Sequence, residues 1–561
     1  MPLITLETII PGIADSLAFC NWISSSGVTH HEQLSIHQSV LGGTGLFLTM
    51  NSLSTNKDIE LLRIPASTTY NLASCMSILK DVTRLEDSCA AFAYRESSVI
   101  KFFLKNLAPT SELAILQAYF QAFVMLNQLH RWIKTSKTAP KEFVDLLNLS
   151  PVRKVDLYTE VLAGVEVPTI DSDKPEVLQL ALQVFGNKSV IANITHVLYQ
   201  SHMHASLIEA LAKDETFNGI GVDIFDILPL ERFHQINAAV KSRILEIPEE
   251  IESKSDDFLT NVTLVPLLDF ANHSNGDKLN AYFDIDRVSG DVLLKFDAEK
   301  LSDGEVEVCI TYTKNEDVAK VFMNYGFVPQ LSQAPSVYEL YFDEEILLGM
   351  NMEYPTGLLK WLKVMPCAQV IETESGTLVD LQGDFFPVLF SGLKYNIDWC
   401  VETFGDLEAV QYYESECGDV VPNLVHKAVT RGDTFISSGA ELWETLTETE
   451  RAECESKYSE FLKVYAELRI DQLDIFQRKH RISTLVEHEQ RILGTFREGV
   501  VFHKGSEALQ EMRSKPEVDF EFIRENIEVY EIITGAAMSE VETERQISHD
   551  YEVLCEMFGE L

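Results

Sequence analysis

The spacing of apolar positions switches along this chain between the twofold period of strands and the 3.6-residue period of helices. Residues 1–75 open with a short apolar, helix-like run at 17–23 and pass through a glycine-rich turn, Leu41-Gly42-Gly43-Thr44-Gly45-Leu46-Phe47-Leu48. A short strand over 59–64 comes next, closed by Pro65. From 76 to 245 helical spacing takes over, clearest in Leu113, Leu116, Phe120, Phe123, Val124 and Leu126, and again in Phe233, Ile236, Val240 and Ile244. Pro248 and the acidic run 249–257 break that pattern and read as an exposed loop. Alternation returns between 258 and 330, predicting strands at 262–268, 281–285, 292–296 and 306–312 with turns at Ser289-Gly290 and Asp303-Gly304. The Gln/Ser/Pro stretch 329–335 reads as a linker, and residues 340–561 become increasingly helical, above all after 440. The pattern predicts an α+β protein with a helical block set between two β-rich segments.

Composition adds limits. With 561 residues, 46% of them hydrophobic and 24% charged, the chain is an ordinary globular one of more than one folding unit. Charge is the exceptional property: 45 Lys and Arg against 87 Asp and Glu give −42. Such a surface repels phosphate backbones and anionic lipid and attracts basic proteins, so a basic protein partner is expected and direct nucleic-acid binding is not. The first Lys or Arg is Lys57, so the start lacks a cationic targeting pattern, and no long uncharged apolar run predicts a membrane span. The nine cysteines form no CxxC pair or zinc spacing, and read as reduced thiols of a cytoplasmic protein, one that could also enter the nucleus. No metal site is predicted, and a monomer is expected.

Three stretches carry candidate chemistry. The glycine turn fails the dinucleotide fingerprint, because position 48 is Leu48 rather than glycine, and no P-loop or HExxH motif is present. The run Val265-Pro266-Leu267-Leu268-Asp269-Phe270-Ala271-Asn272-His273-Ser274 delivers Asp, Asn, His and Ser into one polar cluster at a strand end, where a structural turn needs only one of them. The third stretch sets Tyr312 at a strand end and Tyr325 at a helix-to-turn break before Gly326-Phe327-Val328. Taken singly, each tyrosine would more often be a core residue with its hydroxyl satisfied.

Read together, these segments resemble the SET-domain lysine methyltransferases, and more closely the branch containing the Rubisco large-subunit and fungal ribosomal-protein lysine methyltransferases. Gly43-Thr44-Gly45-Leu46-Phe47 looks like that family's early G-x-G turn and Lys241-Ser242-Arg243 like its S-R helix. Asp269-Phe270-Ala271-Asn272-His273-Ser274 looks like its D-x-x-N-H-S motif, and 310–328 like its Y... Y-G-F segment. Thr313 stands where the family commonly has glycine. The cysteine-rich zinc segments of many histone-directed members are missing, which favours a non-histone substrate.

The resemblance implies a SET β-fold with a pseudoknot, formed by 1–75 and 246–330 around a helical insertion at 76–245, with a mostly helical substrate-binding domain at 336–561. It implies S-adenosyl-L-methionine as cofactor, bound by Gly43, Gly45, Leu46, Phe47, Arg243, Asp269, Asn272, His273, Tyr325, Gly326 and Phe327, with Arg243 near its carboxylate. Tyr312 is the implied catalytic residue, orienting the amine. The implied activity is protein-lysine N-methylation of a basic protein, with a ribosomal protein favoured. An elongation factor, cytochrome c or a histidine acceptor are alternatives, as is a non-catalytic SET-like module that only binds a basic partner.

Overall fold

The computed structural model of the chain describes residues 16–41, 43–50, 58–87, 96–135, 149–165, 185, 187–214, 228–250, 258–300, 304–313, 317–329, 336–342, 367–373, 376–380, 387, 390, 396–401, 412–414, 420–422, 425–431, 434–436, 439–474 and 483–503. Gly42 and most of the predicted 329–335 linker lie outside the described residues.

Helix α1 (Ser16–Ser25) leads into strands β1 (Thr29–His30), β2 (Leu34–Gln38), β3 (Thr44–Met50) and β4 (Ile59–Ile64). The helical block is built from α2 (Leu72–Asp87), α3 (Glu96–Leu107), α4 (Glu112–Thr135), α5 (Asp156–Gly164), α6 (Lys188–Lys213) and α7 (Leu230–Arg243). The second β-rich segment contains β5 (Ile244–Glu250), β6 (Phe258–Leu264), β7 (Asn272–His273), β8 (Ala281–Ile285), β9 (Val292–Phe296), β10 (Gly304–Glu307) and β11 (Cys309–Ile310). Helix α8 (Val318–Tyr325) closes it.

The two β-rich segments, nearly two hundred residues apart in sequence, pair with each other. β9 lies antiparallel to β4, and β10 lies antiparallel to β3. Period-two alternation explains the second pairing: Leu46 and Leu48 of β3 are fully buried in the core together with Leu34 and Ile36 of β2, while Gly45 and Phe47 face the other way. Helix α4 is buried on all sides from Ile115 to Asn127 and lies in the middle of this core, with Phe120, Phe123 and Leu126 at 1% exposure or less. Two of its polar residues are committed to α7: Gln121 Nε2 donates to Phe233 O at 2.7 Å and Asn237 Oδ1 at 2.9 Å, and Gln117 Nε2 to Asn237 O at 2.9 Å. These bonds seat α7 against α4 and so fix where its last residue, Arg243, emerges.

Three expectations need correction. Pro248 and Glu249 are not loop: they belong to β5, which forms a hairpin with β6. An antiparallel edge tolerates proline at a position with no ladder bond to donate. The strand expected over 262–268 ends at Leu264; the chain then bends through Leu267, at φ 74°, into a 3-10 turn at Leu268–Phe270. The single strand expected over 306–312 is two pieces, β10 on β3 and β11 parallel to β7, because Val308 donates to Leu46 O at 2.8 Å and the chain then changes partner.

Among the described residues beyond 336, the helices of several turns lie between 439 and 498, whereas before 439 Pro387 and Phe390 are helical and strands account for most of the rest. These strands are β12 (Ser336–Tyr341), β13 (Cys367–Thr373), β14 (Gly376–Asp380), β15 (Asn396–Val401), β16 (Tyr412–Glu414), β17 (Val420–Pro422), β18 (Val425–Arg431) and β19 (Thr434–Ile436). Helices α9 (Gly439–Thr445), α10 (Glu448–Leu473) and α11 (Ser483–Glu498) come after them, and β20 (Phe502–His503) runs parallel to β14.

A second core forms here, and it draws in Val190, Ile194, Val318 and Phe322 from α6 and α8. The two cores are tied by paired helix caps. Asn187 Oδ1 accepts from Ser189 and Val190 at the start of α6, while its Nδ2 donates to Asp317 and to Glu339 O at 2.6 Å. Asp317 in turn caps α8. Asn187→Ala removes the cap of α6 and the amide's bonds to Asp317 and to Glu339 O, so it is expected to cost about 1–3 kcal/mol in equilibrium chemical denaturation. A loss below about 0.5 kcal/mol, the level of an ordinary surface substitution, would contradict this junction.

Candidate functional site

The residues singled out in the sequence converge on the bend and strand at 269–273. Two helices set its position. Arg243, the last residue of α7, donates through Nη1 to Asp269 O and to Asp269 Oδ2, each at 2.9 Å, and its guanidinium lies 5.8 Å from the Phe270 ring centre. Tyr158 of α5 donates its hydroxyl to Asp269 Oδ2 at 3.0 Å. Burial raises the Asp269 carboxyl above its ordinary value, against the opposing pull of Arg243. Arg243 Nε and Asp269 Oδ1 are buried with no hydrogen-bond partner among the described residues. The left-handed Leu267, a conformation that costs a non-glycine residue about 1–3 kcal/mol, is held by its buried side chain and turns Asp269 toward Arg243.

One side of β7 is polar. Asn272 Nδ2 donates to Glu307 Oε1 at 2.7 Å and lies 3.5 Å from Thr44 O; Ser39 Oγ donates to the same Glu307 oxygen at 2.6 Å. Gly45 lies directly against this group. A Cβ there would come within 2.7 Å of Glu307 Oε1, 3.1 Å of the Phe47 ring and 3.2 Å of Asn272 Nδ2, so only glycine permits the approach.

The other side is aromatic. His273 Nδ1 accepts from the Tyr312 backbone N–H at 2.9 Å, which requires its proton on Nε2. The His273 ring centre lies 5.2 Å from Tyr312 and 5.5 Å from Phe327, and Tyr325 lies 4.9 Å from Tyr312. Gly326, the left-handed C-cap of α8 at φ 84°, reverses the chain so that Phe327 reaches His273. Tyr312 donates its hydroxyl to Ala271 O at 2.8 Å, and burial holds the phenol above its ordinary value, so it keeps its proton at neutral pH.

Gly45, Phe47, Arg243, Asp269, Asn272, His273, Tyr312, Tyr325, Gly326 and Phe327 therefore share one neighbourhood. Two expected residues do not join it by their side chains or close contacts. Leu46 points into the core, as strand alternation requires, and Gly43 sits in an exposed turn at φ 62° with open space around it. Sequence reading missed Glu307, Ser39 and Tyr158. Alternation along β10 puts Glu307 opposite Phe47 and could have flagged it; nothing local marks Tyr158, which arrives from the helical block.

A family model described as cytochrome c lysine N-methyltransferase 1 matches residues 17–393, more than half of the chain. The chain belongs to this family. Among relatives named cytochrome c lysine N-methyltransferase 1, the one from Saccharomyces cerevisiae is 27% identical over 63% of this chain and 56% of its own length. The one from Kluyveromyces lactis is 26% identical over 65% of this chain and 68% of its own length, and that from Candida glabrata 31% over 57% and 54%. The matched part thus spans little more than half of the first of these relatives. Among solved structures, the SET domain of LSMT bound to lysine and AdoHcy aligns over 91% of this chain and 99% of its own, with 14% identity and a TM-score of 0.42. Rubisco LSMT bound to AdoMet aligns over 92% and 100%, with 13% identity and the same TM-score of 0.42. Similarity at that level carries no reading across.

Two outcomes test this family member's site. Asp269→Ala leaves Arg243 buried without its counter-charge and is expected to destabilise by about 3–5 kcal/mol in chemical denaturation, whereas joining it to Arg243→Met recovers most of the loss. A double variant no more stable than the single one would count against the pair. Burial also lowers the His273 ring from 6.5 to about 4. The unfolded chain then takes up the proton first, so the stability that His273 contributes is present above pH 6.5 and lost as pH falls from about 6.5 toward 4. NMR titration should place its ring resonances near the lower value, and a midpoint near 6.5 would refute the buried neutral ring.

Proposed function

We propose that this chain is an S-adenosylmethionine-dependent protein-lysine N-methyltransferase whose acceptor is a lysine of cytochrome c. The observation that carries the reading is the meeting of Gly45, Arg243, Asn272, His273, Tyr312 and Tyr325 around one five-residue segment, in a member of the cytochrome c lysine N-methyltransferase family. The residues fit the donor: the buried Arg243 Nε has no partner among the described residues and suits a carboxylate, and the Gly45–Asn272 corner offers backbone and amide groups.

S-adenosylmethionine, when bound, supplies a methyl group on a sulfonium, open to in-line displacement by an uncharged amine. The protein's part is to present that amine. A free lysine, with pKa about 10.4, is neutral only about once in a thousand near pH 7.4, and an apolar channel favours the neutral form by removing water from the charge. His273, Tyr312, Tyr325 and Phe327 provide such walls. Because the Tyr312 hydroxyl spends its proton on Ala271 O, its oxygen lone pairs are left to accept from the amine N–H and from methyl C–H, which aligns both along one line.

The ribosomal protein favoured from the sequence gives way to cytochrome c as the proposed acceptor. A net charge of −42 suits any basic protein, whereas the substrate named in the relatives is cytochrome c. Incubation of the full chain with labelled S-adenosylmethionine and cytochrome c is expected to label lysine. Tyr312→Phe should lower turnover by on the order of 100-fold or more with little change in donor affinity. Label on a ribosomal protein and none on cytochrome c would reject the acceptor; wild-type turnover in a folded Tyr312→Phe variant would reject the role of the hydroxyl.

A further inference from the structure

The polar side of β7 contains a residue that the proposed methyl transfer leaves without a role. Glu307, on β10, sends one carboxylate oxygen into the site, where it accepts from Asn272 Nδ2 at 2.7 Å and from Ser39 Oγ at 2.6 Å. Ser39 is buried and anchors the turn before β3, since its Oγ also accepts from Leu41 N at 2.9 Å and its N–H bonds to Gly43 O at 3.0 Å. Glu307 therefore joins the glycine turn to Asn272, and Gly45 passes between them with no room for a side chain.

This contact decides something that the identity of Asn272 does not. A side-chain amide has a donor end and an acceptor end of nearly the same shape, and a ligand sees only the end turned toward it. A carboxylate accepts and does not donate, so beside Glu307 the amide must turn Nδ2 inward. The carbonyl end, Oδ1, makes no hydrogen bond among the described residues. What faces outward is an acceptor, backed by the negative charge of Glu307. That combination recognises a cationic donor and disfavours a carboxylate or a second acceptor.

We infer that Glu307 is the positioning residue that sets the Asn272 amide to accept from the α-ammonium group of the methyl donor, and so selects for its amino-acid end. This role rests on the proposed methyltransferase activity. The adenosine end makes no demand on it.

Two ligands separate this role from a merely structural one. S-adenosylhomocysteine carries the α-ammonium group; 5′-methylthioadenosine keeps the adenosine and the sulfur but has no amino-acid end. Titration calorimetry on the full chain should show Glu307→Ala weakening S-adenosylhomocysteine about tenfold or more, the weight of one charge-assisted hydrogen bond, with 5′-methylthioadenosine within about twofold of wild type. Glu307→Gln keeps an acceptor for both Ser39 and Asn272 and should recover at least a third of the S-adenosylhomocysteine affinity. Equal weakening of both ligands by Glu307→Ala, or no weakening of either, would overturn the positioning role. A wild-type chain that binds neither ligand would instead remove the proposed activity, and this inference with it.

Discussion

A guanidinium largely withdrawn from water is tolerable only with an opposite charge in contact, and in this fold that requirement organises the site. Arg243 is answered by both the carboxylate and the carbonyl of Asp269, while Tyr158 holds the carboxylate from its other side. The three residues come from α7, α5 and the bend before β7. Pinning Asp269 in this way also pins β7, which begins three residues later. A shift of one residue in β7 would exchange the directions of Asn272 and His273, and both networks built on them would be lost.

That register gives the site two unlike sides. Asn272 faces Glu307, Ser39 and Gly45, a corner of hydrogen-bonding groups closed to any side chain at position 45. His273 faces Tyr312, Tyr325 and Phe327, with its ring kept neutral by burial. The proposed methyl transfer would use this asymmetry, with fixed polar groups for the donor's amino-acid end and a dry aromatic surface for the uncharged amine.

The aromatic side is not supported by the first core alone. Helix α8, which ends in Tyr325, packs its Val318 and Phe322 into the second core, and its cap residue Asp317 is bonded to Asn187 at the start of α6. The placement of Tyr325 and Phe327 against His273 therefore depends on how the β12–β14 strands and the helices α10 and α11 pack behind α8.

Local patterning determined much of this protein. The twofold and 3.6-residue periods place β4, β8, β9 and the helical block close to where they stand, and Gly326 marks the end of α8 because a left-handed C-cap disfavours other residues. The motif residues Asn272, His273, Tyr312 and Tyr325 were legible too, since such polar and aromatic clusters at element ends have few structural uses. Tertiary structure alone decided the rest. Whether a strand such as 306–312 serves one sheet or two depends on partners far away in the chain, as does the hairpin that takes in Pro248. That Arg243 and Asp269 bond each other is not visible in sequence, nor is the turning of the Leu46 side chain into the core by strand alternation. Tyr158 carries no local signal at all, and alternation gives Glu307 only a side of its strand, because the importance of both lies in the atoms that folding brings against them.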